Sequence, residues 1–405
     1  MNIWIVNHYA LSPEGAGGTR HFNFSRYLSE RGHQITIIAS SYNHWSRKDE
    51  HLERGETHAY EVCSGVGFLW LKTPIYLSSL ARLWNMLVFA FCLWRNKWSR
   101  DTGVPDLIVA SSPHLFAAFS AYLLARKYRV PFVLEVRDLW PQTLIDLGKI
   151  STKHPLVIVF ARIEKYLYRK ASRIISLLPG AVDHIVQKAG DAKKIKWIPN
   201  GVDLDHVPQL RPQERQKVLS VYYAGSHGLA NGLQSIVDAA EILQRNGLGG
   251  KVCFHFLGEG PDKKRLVDYV KRNKIDNVFF HSPVPKAQIY DVLQRADVFI
   301  ATLLDSDLYR FGISLNKIYD YLALAKPVVF GANSSNNPVS DSGGGYVVAP
   351  EDSAAMAKAV EELLDLSSEE RIQMGIKGRK YIEEHNDIKQ LSKNFEQVCR
   401  DCLGE

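Results

Sequence analysis

Apolar and polar positions along this chain switch between two periods. Residues 3–6 (Ile-Trp-Ile-Val) form an unbroken apolar run, as expected of a strand buried on both faces. From 20 to 31 the spacing changes, with Phe22, Phe24, Tyr27 and Leu28 at helical intervals; Gly32 stops the helix before a second apolar run at 34–39. The same reading predicts strands at 106–110, 132–136 and 173–177 and helices at 115–127 and 155–170. Strands alternating with helices imply a parallel sheet covered on both faces.

A second series follows Ile198-Pro-Asn-Gly-Val-Asp203 and the Pro- and Gln-rich stretch 208–216, read as an interdomain linker. Strands are predicted at 219–224, 251–257, 278–281, 298–301 and 328–331, with helices at 232–246, 262–273, 286–295 and 316–324. The expected division is a first domain over 1–205 and a second over 206–385. A last helix, about 386–405, is expected to pack back on the first. Ligands of such α/β domains gather at the carboxyl ends of the strands, so a cleft between the domains is the expected site.

Composition narrows the class. With 405 residues, 46% apolar and 23% charged, the chain is an ordinary folded protein of two to three domains. Five scattered cysteines exclude a disulfide framework and favour a reducing compartment; Cys399-x-x-Cys402 lacks the second pair that a zinc site needs. The amino terminus reads as a buried strand rather than a leader, and no apolar run reaches the ~18 residues of a spanning helix. Charge is uneven: 1–200 hold 26 Lys+Arg against 15 Asp+Glu, while 201–405 hold 24 against 28. A basic first half suits an anionic surface. Nucleic-acid motifs are missing, so a membrane is preferred to nucleic acid.

Several stretches carry candidate chemistry. Glu14-Gly-Ala-Gly-Gly-Thr-Arg20 joins the first strand to the first helix, and its Gly17 and Gly18 let backbone N–H groups approach a phosphate at a helix N-terminus. Its spacing is not the dinucleotide fingerprint, and a tight turn without ligand is the alternative. Glu135-Val-Arg-Asp-Leu-Trp-Pro141 places Arg137, Asp138 and Trp140 at a strand end, and His114 ends the preceding strand. Tyr223-Ala-Gly-Ser-His-Gly-Leu229 sets Gly225, Ser226 and Gly228 at the first turn of domain two, and Gly258 and Glu259 make the next such turn. Lys317 opens a helix, where a cation opposes the dipole unless an anion lies beside it; Asp320 falls one turn on, on the same face.

Six stretches in this order, those above with Ile198–Asp203 and Lys317-Ile-Tyr-Asp-Tyr-Leu-Ala323, resemble the retaining GT-B glycosyltransferases of family 4. The resemblance runs over nearly the whole chain and is nearest to bacterial O-antigen and capsule enzymes such as N-acetyl-L-fucosamine transferases. It implies an α/β GT-B fold of two Rossmann-like domains whose parallel sheets face across a cleft. The second domain would bind a nucleotide-diphosphate sugar, UDP before GDP, and the first a polyprenyl-diphosphate-linked glycan. Transfer would proceed with retention and without a metal or other cofactor. By this resemblance Arg137, Asp138, His114 and Lys317 are candidate catalytic residues. Gly17, Gly18, Gly225, Ser226, Gly228, Gly258, Glu259, Arg310, Lys317 and Asp320 would bind the donor, and Glu14, Arg20, His114 and Trp140 the acceptor. The family's two glutamates, eight positions apart, fall here at Gly312 and Asp320, and its diphosphate-holding Arg and Lys at Ser226 and Asn231. Lys317 and Arg310 are left to supply positive charge.

Residues 80–98 add a membrane element. Leu80, Trp84, Phe91, Trp94 and Trp98 share a helical stripe flanked by basic residues, the pattern of a helix lying in a bilayer interface. A core helix of the first domain is the alternative. The resulting expectation is a cytoplasmic enzyme, peripheral on the inner face of the cell membrane. Its rivals are a sugar-nucleotide 2-epimerase of the same fold and a membrane-bound scaffold without turnover.

Overall fold

A computed structural model describes the chain apart from residues 14–17, 45, 149 and 209–216, and the backbone alone at 230. Glu14, Gly17 and nearly all of the expected linker therefore lie outside the described residues. The chain divides into two units, residues 1–200 with 388–405, and residues 201–387.

The first unit is built on an eight-stranded sheet in the order Ile195–Trp197, Arg173–Ser176, Phe132–Val136, Leu107–Ser111, Asn2–Val6, Gln34–Ser40, Val66–Leu71, His58–Cys63. All neighbours are parallel except the last two, which form an antiparallel hairpin. That edge corrects the purely parallel sheet expected from the sequence. The turn needs positive φ at Ser64 and Gly65; the outer strand exposes Tyr60 and Val62 and lacks the buried run of its neighbours, whereas Val66–Leu71 is buried throughout.

Asn2–Val6 lies at the centre, and its side chains alternate between the two faces. Ile3 and Ile5 join a core with Phe24 of helix Arg20–Glu30 and with Leu391, Phe395 and Val398 of the last helix, Ile388–Leu403. Phe24 and Phe395 rings are 5.4 Å apart. Trp4 faces the other way, 5.0 Å from Trp98 and 5.2 Å from Tyr128. Cys399 is buried in the first of these cores; burial pushes its thiol up, and that of Cys402 to about 11, so neither forms a reactive thiolate easily.

The second unit has six parallel strands in the order Val278–His281, Val252–Leu257, Leu219–Ala224, Val298–Thr302, Val328–Gly331, Gly345–Val348. Leu233–Arg245 and Ser353–Asp365 cover one face; Asn316–Ala323 and Ser368–His385 lie on the other. Among the described residues no helix is long and apolar enough to cross a membrane.

Candidate active site

In the second unit, two glycine turns are pressed together at the carboxyl ends of adjacent strands. Gly225 (φ +147°) leaves Leu219–Ala224, and Gly258 (φ +144°) leaves Val252–Leu257. A Cβ on Gly258 would lie 2.0 Å from the Gly225 carbonyl oxygen, and one on Gly260 would lie 2.4 Å from that of His227. Only glycine permits this approach. The turns are tied by His227 N–H donating to Glu259 O (2.8 Å) and Asp262 N–H to His227 O (3.0 Å). Lys263 completes the tie, donating to Gly258 O at 2.9 Å and to the Glu259 carboxylate at 2.6 Å. Glu259 is thus paired on the surface. Ser226 is exposed, and its carbonyl accepts from Tyr223 (2.8 Å) and Asn231 (3.0 Å), which shapes the turn around Gly228.

Lys317 enters this turn from helix Asn316–Ala323. Its Nζ donates to the Tyr223 hydroxyl at 2.8 Å and to Asn231 Oδ1 at 2.9 Å, and lies 4.6 Å from the Tyr223 ring centroid. Among the described residues no carboxylate pairs with it, and burial pushes the amine down to about 8. A Cβ on Gly225 would meet Nζ at 3.3 Å, so that glycine keeps the space beside the amine open. Tyr223, at the end of a buried strand, is the residue that sequence reasoning missed; its polar tip in an apolar run was the available signal.

Asp320 does not join Lys317, although the two are one turn apart. Its Oδ1 accepts from the Tyr290 hydroxyl at 2.8 Å, and burial raises its carboxyl to about 6, against the pull of Tyr290 and Lys286. Arg310 is exposed, bonded to the Asp307 carbonyl within its own short turn, with its guanidinium 4.2 Å from the Phe311 ring centroid. Gly312, at the place of the first family glutamate, has φ +98° and is buried.

In the first unit the structure corrects two expected acceptor residues. Arg20 is buried: Nε donates to Glu135 Oε1 at 2.8 Å, Nη2 to Ile198 O at 2.9 Å, and Nη1 to Pro199 O. Glu135 also takes His21 (2.6 Å) and Ser111 (2.7 Å). Burial alone would raise the Glu135 carboxyl, but His21 and Arg20 outweigh it and hold it well below the usual range. Arg20 therefore holds the strand ends and the 198–199 segment together. His114 is likewise internal. Its Nδ1 caps helix Leu115–Tyr128 through Ala117 N–H (2.8 Å), its Nε2 is 3.1 Å from Met86 O, and burial pushes it down to about 3. With both nitrogens engaged and 1% exposure it is a helix cap, not a contact for substrate.

Asp138 stays solvent-accessible, with surrounding protein raising its carboxyl and Arg137 opposing the rise. The Arg137 and Asp138 N–H groups donate to Ser112 Oγ at 2.8 and 3.3 Å. Trp140 packs edge-on to Phe160 at 5.7 Å and is partly open. Gly18 is exposed. Among the described residues no group of three or more His, Cys, Asp or Glu is placed to hold a metal.

The expected amphipathic helix spans Ser79–Arg95, ended by Asn96 in the left-handed conformation. Its inner face buries Met86, Phe89 and Leu93. Leu80 (81%), Trp84 (60%), Phe91 (52%) and Trp94 (53%) are exposed on the other. Trp98 is corrected to the core: at 2% exposure it packs at a tilt against Trp4 beyond the helix end.

Residues 15–201 match the glycosyl transferase 4-like domain, and residues 219–366 match glycosyl transferases group 1. The chain is 23% identical over 319 residues to the probable glycosyltransferase WbjE of Pseudomonas aeruginosa, covering 73% of this chain and 75% of that protein. Sucrose-phosphate synthase from Thermosynechococcus elongatus superposes with a TM-score of 0.75 at 15% identity, over 99% of both chains. Anabaena HepE in complex with UDP and glucose does so at 0.69 and 14%, over 98% of this chain and 99% of that one. The two matches run in succession along two units that each carry a Rossmann-like, mainly parallel sheet, and the chain is a glycosyltransferase of the GT-B fold.

Proposed function

We propose that this glycosyltransferase moves a sugar from a UDP-sugar to a polyprenyl-diphosphate-linked glycan in bacterial surface-polysaccharide synthesis, with retention and without a metal ion. The observation that carries the reading is Lys317: a half-buried amine with no carboxylate partner among the described residues, beside a glycine turn at a strand end. A cation kept there at a cost in desolvation suits an anion brought by substrate. The chemistry needs it, since the diphosphate leaving group gains charge as the bond between its oxygen and the sugar's anomeric carbon breaks and the new bond to the acceptor forms. Preorganised cations and N–H groups aimed at that charge supply the main stabilisation. UDP complexes among structures of the same fold support the choice of donor.

Lys317 would hold the diphosphate, and Asp320, matching the family's second glutamate, the ribose hydroxyls. Retention is read as front-face displacement assisted by the leaving phosphate. The exposed stripe of helix Ser79–Arg95, on the basic half of the chain, supports a place at the inner face of the membrane, where a lipid-linked acceptor is met.

The test is turnover of UDP-glucose and UDP-N-acetylglucosamine by purified protein, as transfer or as slow hydrolysis, with and without EDTA. Lys317→Ala should lower turnover by the ~10²–10³-fold typical of a lost transition-state donor. Undiminished turnover in Lys317→Ala removes this residue from the site. Abolition by EDTA with rescue by magnesium overturns metal independence.

A further inference from the structure

Arg82 stands in the first turn of helix Ser79–Arg95, where a cation faces the positive end of the helix dipole. Its guanidinium reaches the Tyr9 hydroxyl through Nε at 3.3 Å and Nη2 at 3.1 Å, with its centre 5.4 Å from the Tyr9 ring centroid. Among the described residues no carboxylate pairs with it. A guanidinium has five N–H donors in a planar fork, so donors remain here for an oxyanion. Tyr9 lies just past the carboxyl end of the central strand Asn2–Val6. His44 stands beside this pair: burial first, then Arg82 and Arg47, hold its imidazole below the usual range, its Nδ1 is 2.7 Å from the Tyr76 hydroxyl, and its ring meets Tyr9 edge-on at 6.2 Å.

The same helix carries the apolar stripe. Leu80, Trp84, Leu87, Phe91 and Trp94 are all exposed, and at 1.5 Å per residue they extend about 21 Å from the turn that holds Arg82. Just before the helix, Ile75 and Leu77 are exposed as well. A cation lacking a counter-charge at one end of an exposed apolar track is complementary to an amphiphile with an anionic head.

We propose that Arg82, positioned by Tyr9 and flanked by His44, binds the phosphate or diphosphate head of the lipid-linked acceptor, with its hydrocarbon lying along the Leu80–Trp94 stripe. This deepens the reading of a lipid-linked acceptor and rests on it. Arg20 and His114 are committed inside the unit and leave this role open. The head group is recognised by charge and fork geometry, the tail by area alone.

The probe is farnesyl diphosphate, titrated by calorimetry against the full-length protein, with inorganic pyrophosphate and phosphatidylglycerol vesicles as separate arms. Farnesyl diphosphate should bind saturably and at least tenfold more tightly than pyrophosphate. Arg82→Gln should weaken it tenfold or more, and Arg82→Lys less, since the charge survives and the fork does not. Tyr9→Phe, which deletes one hydroxyl and little volume, keeps the test valid should Arg82→Gln melt early; it should weaken binding about threefold. Equal affinity for pyrophosphate and farnesyl diphosphate marks a free-anion site and overturns the proposal. So does binding that ignores both Arg82→Gln and Tyr9→Phe, or binding seen only with phosphatidylglycerol vesicles. UDP-sugar hydrolysis by the unmodified protein is read from the same preparation. Its absence counts against the transferase reading, whereas farnesyl diphosphate binding indifferent to these residues counts against this site alone.

Discussion

Arg20 and Glu135, 115 positions apart in sequence, neutralise each other where water does not reach: Nε and Oε1 are 2.8 Å apart, and the side chains are 4% and 0% exposed. Removing one partner strands a buried charge. Glu135→Ala should cost about 3–5 kcal/mol, read as a lowered urea midpoint, while Arg20→Met with Glu135→Leu should cost less than Glu135→Ala alone. The folded carboxyl titrates below the unfolded one, so its contribution is present above the usual carboxylate range and lost as pH falls through the folded value. Equal losses in the single and double variants would show that packing, not charge, sets the cost.

The amine of Lys317, lowered to about 8, makes donor binding a proton-linked event. A bound diphosphate restores the charged form, so binding at pH 8 to 8.5 should take up a fraction of a proton. Calorimetry in two buffers of different ionisation enthalpy measures it. The apparent affinity for UDP should fall as pH rises above about 8, and Lys317→Met should remove both effects. Since the folded pKa lies below the unfolded one, the unliganded protein gains stability from this group as pH rises from about 8 to 10.5.

Asp320 runs the opposite way. Its carboxyl is raised from 3.8 to about 6, so its contribution to stability is present below pH 4 and lost as pH rises through 6. At neutral pH the half-buried carboxylate destabilises the unit by about 2–3 kcal/mol. Asp320→Asn can still accept from Tyr290 and should raise the melting temperature at pH 7.5 while weakening UDP-sugar binding tenfold or more. A gain in stability without loss of affinity would place Asp320 outside the donor site.

Vesicle flotation separates the two kinds of tryptophan around helix Ser79–Arg95. Trp84→Ser with Trp94→Ser should reduce binding to phosphatidylglycerol vesicles and leave the melting temperature nearly unchanged. Trp98→Ser should do the reverse, losing about 3–5 kcal/mol of stability through the cavity left against Trp4. Raised salt should release the wild type only partly, because aromatic burial in the interface is not screened.

The parallel strands were legible because each is buried on both faces and reads as an apolar run, as Ile3–Val6 and Leu107–Ser111 do. The outer strand His58–Cys63 was not legible, since an edge strand with an exposed face resembles a loop; its partner Val66–Leu71 is a buried apolar run like the others, and is missing from the predicted strands. Lys317 was legible from its place in the first turn of a helix. Its partners were not, because Tyr223 is 94 positions away and its hydroxyl is one polar atom in an apolar strand. For Arg20 and His114 the residue types were suggestive, but their burial depends on contacts made across the sheet. Helical period alone assigned Trp98 to the stripe; the left-handed Asn96 that ends the helix breaks that phase two residues earlier.

The last helix, Ile388–Leu403, fills the same core as the first strand, which gives the chain a peculiar order of maturation. During vectorial synthesis the sheet around Asn2–Val6 emerges first, yet the core of Ile3 and Ile5 lacks the part supplied by Leu391, Phe395, Val398 and Cys399 until residue 399 has left the ribosome. The inserted unit, 201–387, has all its segments contiguous and can close before its predecessor does. Nascent chains arrested before 388 should thus hold a protease-resistant second unit and a labile first one. The glutamate that receives Arg31 and His33, Glu396, makes the completing clasp polar as well as apolar.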